Sequence, residues 1–176
     1  MAGSLDEYRR KRDFHQTSEP ADGGRQSTDQ PIYVIQRHEA STLHYDVRLE
    51  VDGVLKSWAV PKGPPKRTGE RRLAVPTEDH PIAYANFAGR IPKGQYGAGN
   101  VEIWDHGTYR NLRAAGEESL SMAEALDEGK VEVYLQGDKL DGPYALIRVA
   151  TDEDDKPRWL MLKMKAQEES AEDDAS

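Results

Sequence analysis

The chain contains no cysteine, which excludes a disulfide framework, a thiol nucleophile and a cysteine-ligated metal site. It also has no apolar run approaching the ~18 residues that a membrane-spanning helix requires, and its N-terminus lacks the apolar core of a secretory signal. Hydrophobic residues make up only 36% of the 176 positions, which suggests one compact domain with polar extensions. We therefore expect a soluble cytoplasmic protein that does not associate with membranes.

Positive charge is scarce overall, since 24 Lys and Arg face 32 Asp and Glu for a net charge of −8. The deficit is concentrated at one end. Residues 166–176 carry five acids and no base, and without them the balance is 24 − 27 = −3. Residues 36–113 carry 12 Lys and Arg against 9 Asp and Glu. Because the local field governs the approach of a polyanion, the composition leaves a nucleic-acid partner open.

Composition divides the chain into three segments. Residues 1–30 are polar and partly basic, which predicts a flexible N-terminal arm. Residues 31–165 hold many short alternating runs joined by tight turns, so we expect a single, mainly β domain: an antiparallel β-barrel with a polar crevice and one short helix. Residues 166–176 are acidic and of low complexity, which predicts a disordered tail.

The strongest pattern is the strict alternation of apolar and polar residues in Leu43–Val51. Successive side chains of a strand point to opposite faces, so His44 and Asp46 project side by side. If the preceding strand-like run pairs with this one as a hairpin, His38 lies opposite His44. Gln36 then lies opposite Asp46. Two imidazoles and one carboxylate converge in this arrangement on one cation, a donor set suited to Mn, Fe, Zn or Ni.

Basic residues accompany this candidate metal site. Arg48 follows the carboxylate by two residues, and its planar guanidinium matches phosphate geometry. Lys62–Arg72 holds five bases and one acid around prolines, and it is either a phosphate-contacting loop or a solvated one. His80 stands before a proline at a strand end, where functional groups often lie on a rigid scaffold. The alternative for the alternating run is the solvated outer face of an ordinary strand, and the alternative for His80 is a structural histidine.

Glycine-containing segments predict the connections. Asp52-Gly53 predicts a two-residue hairpin turn into a third strand, Val54–Val60. Gly94–Gly99 resembles a nucleotide-binding loop, but a strand follows where that loop requires a helix. We therefore interpret these glycines as hairpin or bulge positions.

The second half of the chain contains a turn, a helix and three strands. Asp105–Thr108 is predicted to be a turn that leaves His106 exposed. Ser119–Glu128 is predicted to be the helix, with Gly129 as its C-terminal cap. Turns at 137–138 and 141–142 join the first two of the late strands, which are predicted at Lys130–Gln136, Pro143–Ala150 and Trp159–Met164.

A series of short motifs follows in one order along the chain: Gln36–Ser41, Leu43–Glu50, Ser57–Pro64, Arg72–Val75, Glu78–Pro81, Gly89–Pro92, Gly94–Gly99 and Trp104-Asp105. Together they resemble the 3′-phosphoesterase domain of bacterial DNA ligase D and its standalone bacterial and archaeal relatives. The resemblance covers about Pro31–Lys165 and reaches back to Arg12–Phe14 and Glu19-Pro20. Val47 and Arg37 stand where Phe and Lys are commoner in the family, and the acidic tail has no recognisable counterpart.

The resemblance implies a Mn²⁺-dependent enzyme, with Co²⁺ or Zn²⁺ as other candidate ions. Such an enzyme removes a 3′-phosphate, or a 3′-terminal ribonucleoside, from DNA or RNA-tipped primer strands during end joining. By motif position, the implied metal ligands are His38, His44 and Asp46. The groups implied around the scissile phosphate are Arg48, His80, Lys62 and Arg72. The implied supporting residues are Gln36, Glu78 and Tyr84. The implied arm residues for the ribonucleoside step are Arg12, Asp13 and Glu19.

The resemblance also implies that primer–template 3′ ends are the substrate, and we expect a monomer that works beside a separate DNA ligase and polymerase. Two other functions fit the same residues. Two histidines and one carboxylate are also the ligand pattern of non-haem iron oxygenases. A non-catalytic module that binds DNA ends would present the same basic groups. Arg48 and the segment Lys62–Arg72 favour phosphate chemistry over the oxygenase.

Overall fold

The computed structural model of the chain describes residues 4–24, 30–115, 117–149 and 157–165. The strands within these residues are β1 (Ile32–Glu39), β2 (Leu43–Val51), β3 (Val54–Val60), β4 (Arg71–Pro81), β5 (Gly89–Ile91), β6 (Gly99–Asn111), β7 (Lys130–Gly137), β8 (Asp141–Val149) and β9 (Arg158–Lys163). The helices are α1 (Asp6–Arg10), α2 (Met122–Glu128) and a 3₁₀ helix (Ile82–Asn86) between β4 and β5.

The sheet closes into an antiparallel barrel, as predicted. Eight strands follow the order β1-β2-β3-β4-β9-β8-β7-β6, and β6 pairs again with β1 to complete the ring. β5 pairs with the first residues of β6. Closure leaves no unpaired edge among these eight strands.

Both faces of the β1–β4 part of the sheet are covered. Val47 and Leu49 point inward and belong to the core that fills the barrel. A second apolar cluster, which includes Tyr8 and Tyr84, lies on the outer face, where α1, the 3₁₀ helix and β5 meet. Burial of a large apolar side chain contributes about 1.5–3 kcal/mol, so this cluster fastens the peripheral elements to the barrel. The polar residues of β2 are consequently enclosed, and Asp46 is only 6% exposed.

Residues 4–24 lie against the barrel, which corrects the expectation of a flexible arm for this segment. Tyr8 is fully buried, and its ring lies 6.0 Å from that of Tyr84 and 5.9 Å from that of Phe14. Arg12 donates a hydrogen bond to Glu78 of β4. The apolar anchors are single residues among charged ones, so composition alone does not reveal the contact.

Two predicted turns are wrong because their residues lie inside strands. Asp105–Thr108 falls within β6, and Asp141-Gly142 opens β8. Gly107 is required there by a close strand approach, since a Cβ would lie 2.0 Å from the carbonyl oxygen of Gln136. Turn-like composition at this point therefore reflects packing and not chain reversal. His106 is exposed, as predicted.

The helix α2 is confirmed but starts later than predicted. Ser121 is its N-cap: its hydroxyl accepts a hydrogen bond from the Glu124 amide, and the Glu124 carboxylate accepts one from the Ser121 amide. Gly129 closes the helix in the left-handed conformation, with φ of 91°. The three late strands occur where predicted, to within two residues at each end.

Some predictions fall on residues outside the described ranges. These are the acidic tail at 166–176, residues 1–3 and 25–29 of the arm, and the last residue of the strand predicted to end at Ala150. Among the described residues, no helix combines the length and the apolar character needed to cross a membrane.

Candidate active site

The β1–β2 hairpin has the predicted register. His38 lies opposite His44, and Gln36 lies opposite Asp46. Arg48 follows on the same outer face of β2, two residues beyond Asp46. The alternation of the hairpin thus places His38, His44, Asp46 and Arg48 on the face that the arm covers.

His38, His44 and Asp46 each bring one ligand atom to within 4.8 Å of the others. The two carboxylate oxygens of Asp46 are divided between the histidines: Oδ2 lies 3.3 Å from His38 Nδ1, and Oδ1 lies 3.2 Å from His44 Nε2. The His44 side chain keeps 21% of its surface exposed, so the centre stays open to water. Two nitrogens and one carboxylate oxygen suit Mn²⁺, Fe²⁺ or Zn²⁺.

The tautomer of His38 is determined by a backbone carbonyl. His38 Nε2 lies 2.7 Å from the oxygen of Gly97, which only accepts, so Nε2 carries the proton. Nδ1 is then the ring nitrogen that can bind a cation, and it faces Asp46 Oδ2 across 3.3 Å. A cation bound by both atoms takes the place of the hydrogen bond that joins them. The three residues therefore fit a divalent metal ion.

Asp46 is held in the anionic form that a metal ligand needs. Burial would raise the pKa of Asp46, but the Arg48 guanidinium and the hydrogen bonds of both histidines outweigh it and hold this pKa well below its ordinary value. The hydrogen bond to Asp46 is also the main reason that the pKa of His44 is raised.

Arg48 is buried and fixed by two hydrogen bonds and one aromatic contact. Its Nε donates to Gln36 Oε1 at 2.7 Å, and its Nη2 donates to Asp46 Oδ2 at 3.3 Å. The Gln36 amide in turn donates to the carbonyls of Tyr84 and Phe87, which orients Oε1 toward the guanidinium. The Tyr84 ring centre lies 4.8 Å from the guanidinium carbon. Arg48 is thus a preorganised cation beside the metal centre.

His80 lies between two guanidinium groups. Its Nδ1 is 2.9 Å from the carbonyl of Glu78 and donates to it, which leaves Nε2 to accept from Arg12 Nη2 at 3.4 Å. Burial, followed by the charges of Arg48 and Arg12, lowers the pKa of His80 well below its ordinary value. His80 is therefore neutral in this arrangement.

The arm brings a further network to the same place. Arg12 donates to Glu19 and to Glu78, each at 3.1 Å, and the Tyr84 hydroxyl donates to Glu19 at 2.6 Å. Lys11 places a second cation on Glu78, at 3.1 Å. Burial would raise the pKa of Glu78, but its own backbone amide, Lys11 and Arg12 together lower it. The arm is thus joined to β4 and to the 3₁₀ helix by charged hydrogen bonds.

Most of these groups line one cavity of about 260 Å³, and Gln36 contacts it through Arg48. Three other predicted site residues lie away from it. Arg72 pairs with Glu70 at 2.9 Å and donates to the carbonyl of Lys62. The Lys62 side chain is exposed and lines a different pocket. Asp13 is exposed and accepts a hydrogen bond from the amide of His15. A motif gives the position of a residue along the chain. It does not give the side of the sheet to which a loop folds, because that depends on tertiary contacts.

Three contributors to the site were missed. Tyr96 and Gly97 belong to the hairpin loop between β5 and β6, which the glycine pattern correctly identified as a hairpin. Lys11 contacts both Glu78 and the Tyr96 hydroxyl, the latter at 3.4 Å. The basic residues of the arm could have indicated Lys11. Every residue has a backbone carbonyl, so the sequence does not show that the carbonyl of Gly97 contacts the site.

Comparison with known proteins identifies one family. The family model described as "DNA Ligase D 3'-phosphoesterase domain" matches residues 36–148. The chain belongs to this family. The match includes the metal-ligand candidates and Arg48, and it ends within β8.

Several curated relatives cover nearly the whole chain. The Multifunctional non-homologous end joining protein LigD of Pseudomonas aeruginosa is 47% identical over 165 residues, which are 92% of this chain and 18% of the relative. The protein of the same name from Mycolicibacterium smegmatis is 45% identical over 175 residues, which are 99% of this chain and 22% of the relative. The LigD of Mycobacterium tuberculosis is 45% identical over 170 residues, which are 96% of this chain and 21% of the relative. The chain spans about a fifth of the length of these relatives.

Proposed function

We propose that the chain is a metal-dependent 3′-phosphoesterase that repairs the 3′ ends of DNA strands in non-homologous end joining. It would remove a terminal 3′-phosphate and a 3′-terminal ribonucleoside from primer strands. The observation that carries the proposal is the direct contact between a three-residue metal-ligand set and a buried guanidinium, since Arg48 donates to Asp46. Family membership and the names of the relatives support it.

The ligand set suits Mn²⁺, with Co²⁺ and Zn²⁺ as further candidates. His38, His44 and Asp46 would hold the ion, and three protein ligands leave positions for water and substrate. A divalent ion bound there supplies charge that polarises a phosphoryl oxygen and lowers the pKa of a bound water.

Arg48 and His80 are suited to bind the scissile phosphate. Arg48 Nη1 lies 3.2 Å from His80 Nδ1, and both atoms carry protons in the tautomer assigned above. An oxyanion would accept from Arg48, while the Nδ1 proton of His80 stays on the Glu78 carbonyl. It would also raise the pKa of His80, because the negative charge favours the imidazolium. His80 would then bind the phosphate and hold a proton for the leaving oxygen.

The arm closes another side of the cavity. Arg12 is buried and held by Glu19 and Glu78, which places a fixed cation beside any terminal sugar that enters. We therefore assign Arg12 and Glu19 to the ribonucleoside step. The roles of Lys62, Arg72 and Asp13 stay predictions from the resemblance. The monomeric state, the cytoplasmic location and the separate ligase and polymerase also stay predictions.

A 5′-labelled primer–template with one 3′-terminal ribonucleotide tests both reactions on one gel. With Mn²⁺, the chain should first yield a primer that lacks the nucleoside and ends in a 3′-phosphate, and then the 3′-hydroxyl product. No product from this substrate or from a 3′-phosphate primer, with any of the three ions, would contradict the proposal. Oxygen uptake with Fe²⁺ would point to the oxygenase. Metal-independent binding of 3′-phosphate DNA without turnover would point to an end-binding module.

A further inference from the structure

A second pocket, of about 470 Å³, opens at the end of the barrel where β2 begins. Among the described residues, the one acidic member of its lining is Asp141, which is engaged by the hydroxyl of Tyr134. Its basic lining residues are Lys62, Lys66, Lys139 and Lys163. The pocket therefore has an excess of positive charge, and such a concave basic surface attracts polyanions.

The described residues do not neutralise this charge. Within the described ranges, none of the four ammonium groups forms an ion pair with a carboxylate. Lys163 Nζ contacts the backbone carbonyl of Lys66 at 3.4 Å, and Lys139 Nζ lies 4.5 Å from the centre of the Trp104 ring. These contacts hold the cations in the pocket without cancelling their charge.

Aromatic rings form the floor of the pocket. Tyr45 and Trp104 pack edge to face, with ring centres 5.7 Å apart. Both are partly buried and lie at the end of the barrel core. A ring surface beside uncompensated lysines is the combination with which proteins bind single-stranded nucleic acid, since bases stack on the rings and ammonium groups contact phosphates.

The wall of the pocket is preformed. The loop between β3 and β4 is tied to β9, because the Gly69 amide donates to the carbonyl of Lys163 at 3.1 Å. Gly63 has φ of 80°, and a Cβ there would lie 3.1 Å from the Tyr45 ring. The loop therefore packs directly over the aromatic floor, so a strand entering the pocket meets ordered groups.

The pocket and the candidate active site share the same end of β2. Tyr45 lines the pocket, whereas its neighbours His44 and Asp46 line the cavity on the opposite face. We propose that the pocket binds a single-stranded segment of the polynucleotide whose 3′ end is processed at the metal centre. The proposed binding of a single-stranded segment depends on the pocket alone. Only the proposed link to processing of the 3′ end rests on the proposed function.

Fluorescence anisotropy with a labelled oligothymidylate that ends in a 3′-hydroxyl, in the presence of chelator, measures the pocket apart from hydrolysis. The Lys66→Ala/Lys139→Ala double variant should bind at least about tenfold more weakly than wild type. Its plot of log affinity against log salt should flatten by about 0.7 per lost phosphate contact. Lys130→Ala removes an exposed lysine at the far end of β7 and should bind like wild type.

The aromatic floor has its own test. The Trp104→Leu variant should bind the oligonucleotide at least about fivefold more weakly than wild type. The Trp104→Phe variant should keep the wild-type affinity, because phenylalanine still stacks with a base. Thermal unfolding and circular dichroism verify that each variant folds. If a folded Trp104→Leu variant binds normally, or if polyglutamate displaces the oligonucleotide as well as unlabelled oligothymidylate does, the pocket is a general polyanion site and the proposal fails.

Turnover distinguishes this proposal from the proposed function. On a 3′-phosphate primer, the double lysine variant should raise KM and leave kcat unchanged, and hydrolysis of a 3′-phosphorylated mononucleotide should not change. If wild type hydrolyses neither substrate, the proposed function fails while the binding result stands. If hydrolysis proceeds and the double variant matches wild type in both affinity and KM, the pocket proposal fails while the enzyme stands.

Discussion

The proton on His38 Nε2 lies between His38 and the carbonyl oxygen of Gly97, 2.7 Å away. This hydrogen bond orients a ring of the metal centre from the β5–β6 loop, although the ring itself belongs to β1. Gly97 has φ of 76°, and a Cβ there would lie 3.4 Å from His38 Cε1. One glycine thus supplies both the acceptor and the space that the ring occupies.

Gly97→Ala should weaken Mn²⁺ binding about 10- to 100-fold, because disturbing the partner that orients a metal-binding histidine has effects of this size. Isothermal titration calorimetry measures the change. Gly94→Ala is the matched control: its φ is 91°, so it shares the backbone strain, but a Cβ there meets nothing within 4 Å. An equal loss in both variants would show that strain in the loop, and not the His38 contact, is responsible.

Arg48→Ala should reduce phosphate release about 10²- to 10³-fold while changing metal affinity much less, by analogy with the loss of one oxyanion donor. Arg48→Lys keeps the charge but loses the fork that joins Gln36 to Asp46, and it should fall between wild type and Arg48→Ala. Steady-state rates and calorimetry give the two quantities. The exposed Arg110→Ala variant is the control. Loss of metal affinity with an unchanged rate would reverse the role assigned to Arg48.

Arg12→Ala should slow removal of the 3′-ribonucleoside at least about tenfold and affect removal of a 3′-phosphate much less. The reason is that Arg12 bridges Glu19 of the arm to Glu78 of β4, where we place the terminal sugar. The ratio of rates on the two substrates is the measurement, and the exposed Arg10→Ala variant is the control. Equal losses on both substrates would assign Arg12 a purely structural role.

His80 should make the protein less stable in mild acid. Its pKa is lowered in the folded state by burial and by Arg48 and Arg12, so the unfolded chain takes up a proton at a higher pH than the folded one does. The free energy of unfolding should therefore fall as pH drops below the ordinary histidine value of 6.5, by at most about 1.4 kcal/mol per pH unit.

Urea denaturation of wild type and His80→Gln in chelator, at pH 7.5 and at pH 5, isolates this contribution. The His80→Gln variant should lose less stability on acidification than wild type does. The exposed His106→Gln variant should behave like wild type. Parallel losses in wild type and His80→Gln would mean that other groups cause the acid sensitivity.

The β1–β2–β3 register was predictable because it depends on local signals. A period of two assigns each side chain to a face, and the Asp52-Gly53 turn leaves one pairing, in which Val47 lies opposite Trp58. The same period of two, if the two runs form a hairpin, predicts His38 opposite His44, and the structure has this pairing. The candidate metal centre follows directly from that register.

Other parts of the site depend on contacts between residues far apart in the chain. Tyr8 is buried by packing against the 3₁₀ helix, so the docked arm could not be recognised from its own composition. The β3–β4 loop turns toward the barrel end and carries Lys62 to the second pocket. Asp105 and Gly107 suggested a turn because the packing needs of β6 select the same residue types that turns do.

The most direct test of the metal centre is phosphate release from a 3′-phosphate primer by chelated protein, before and after Mn²⁺ is restored, for wild type and Asp46→Asn. The substitution is nearly isosteric but removes the anion that faces both histidines. Wild type should be inactive in chelator and recover with Mn²⁺, whereas Asp46→Asn should stay inactive at the same Mn²⁺ concentration. Equal phosphate release by the two proteins, or release by wild type that persists in chelator, would contradict a catalytic metal held by His38, His44 and Asp46.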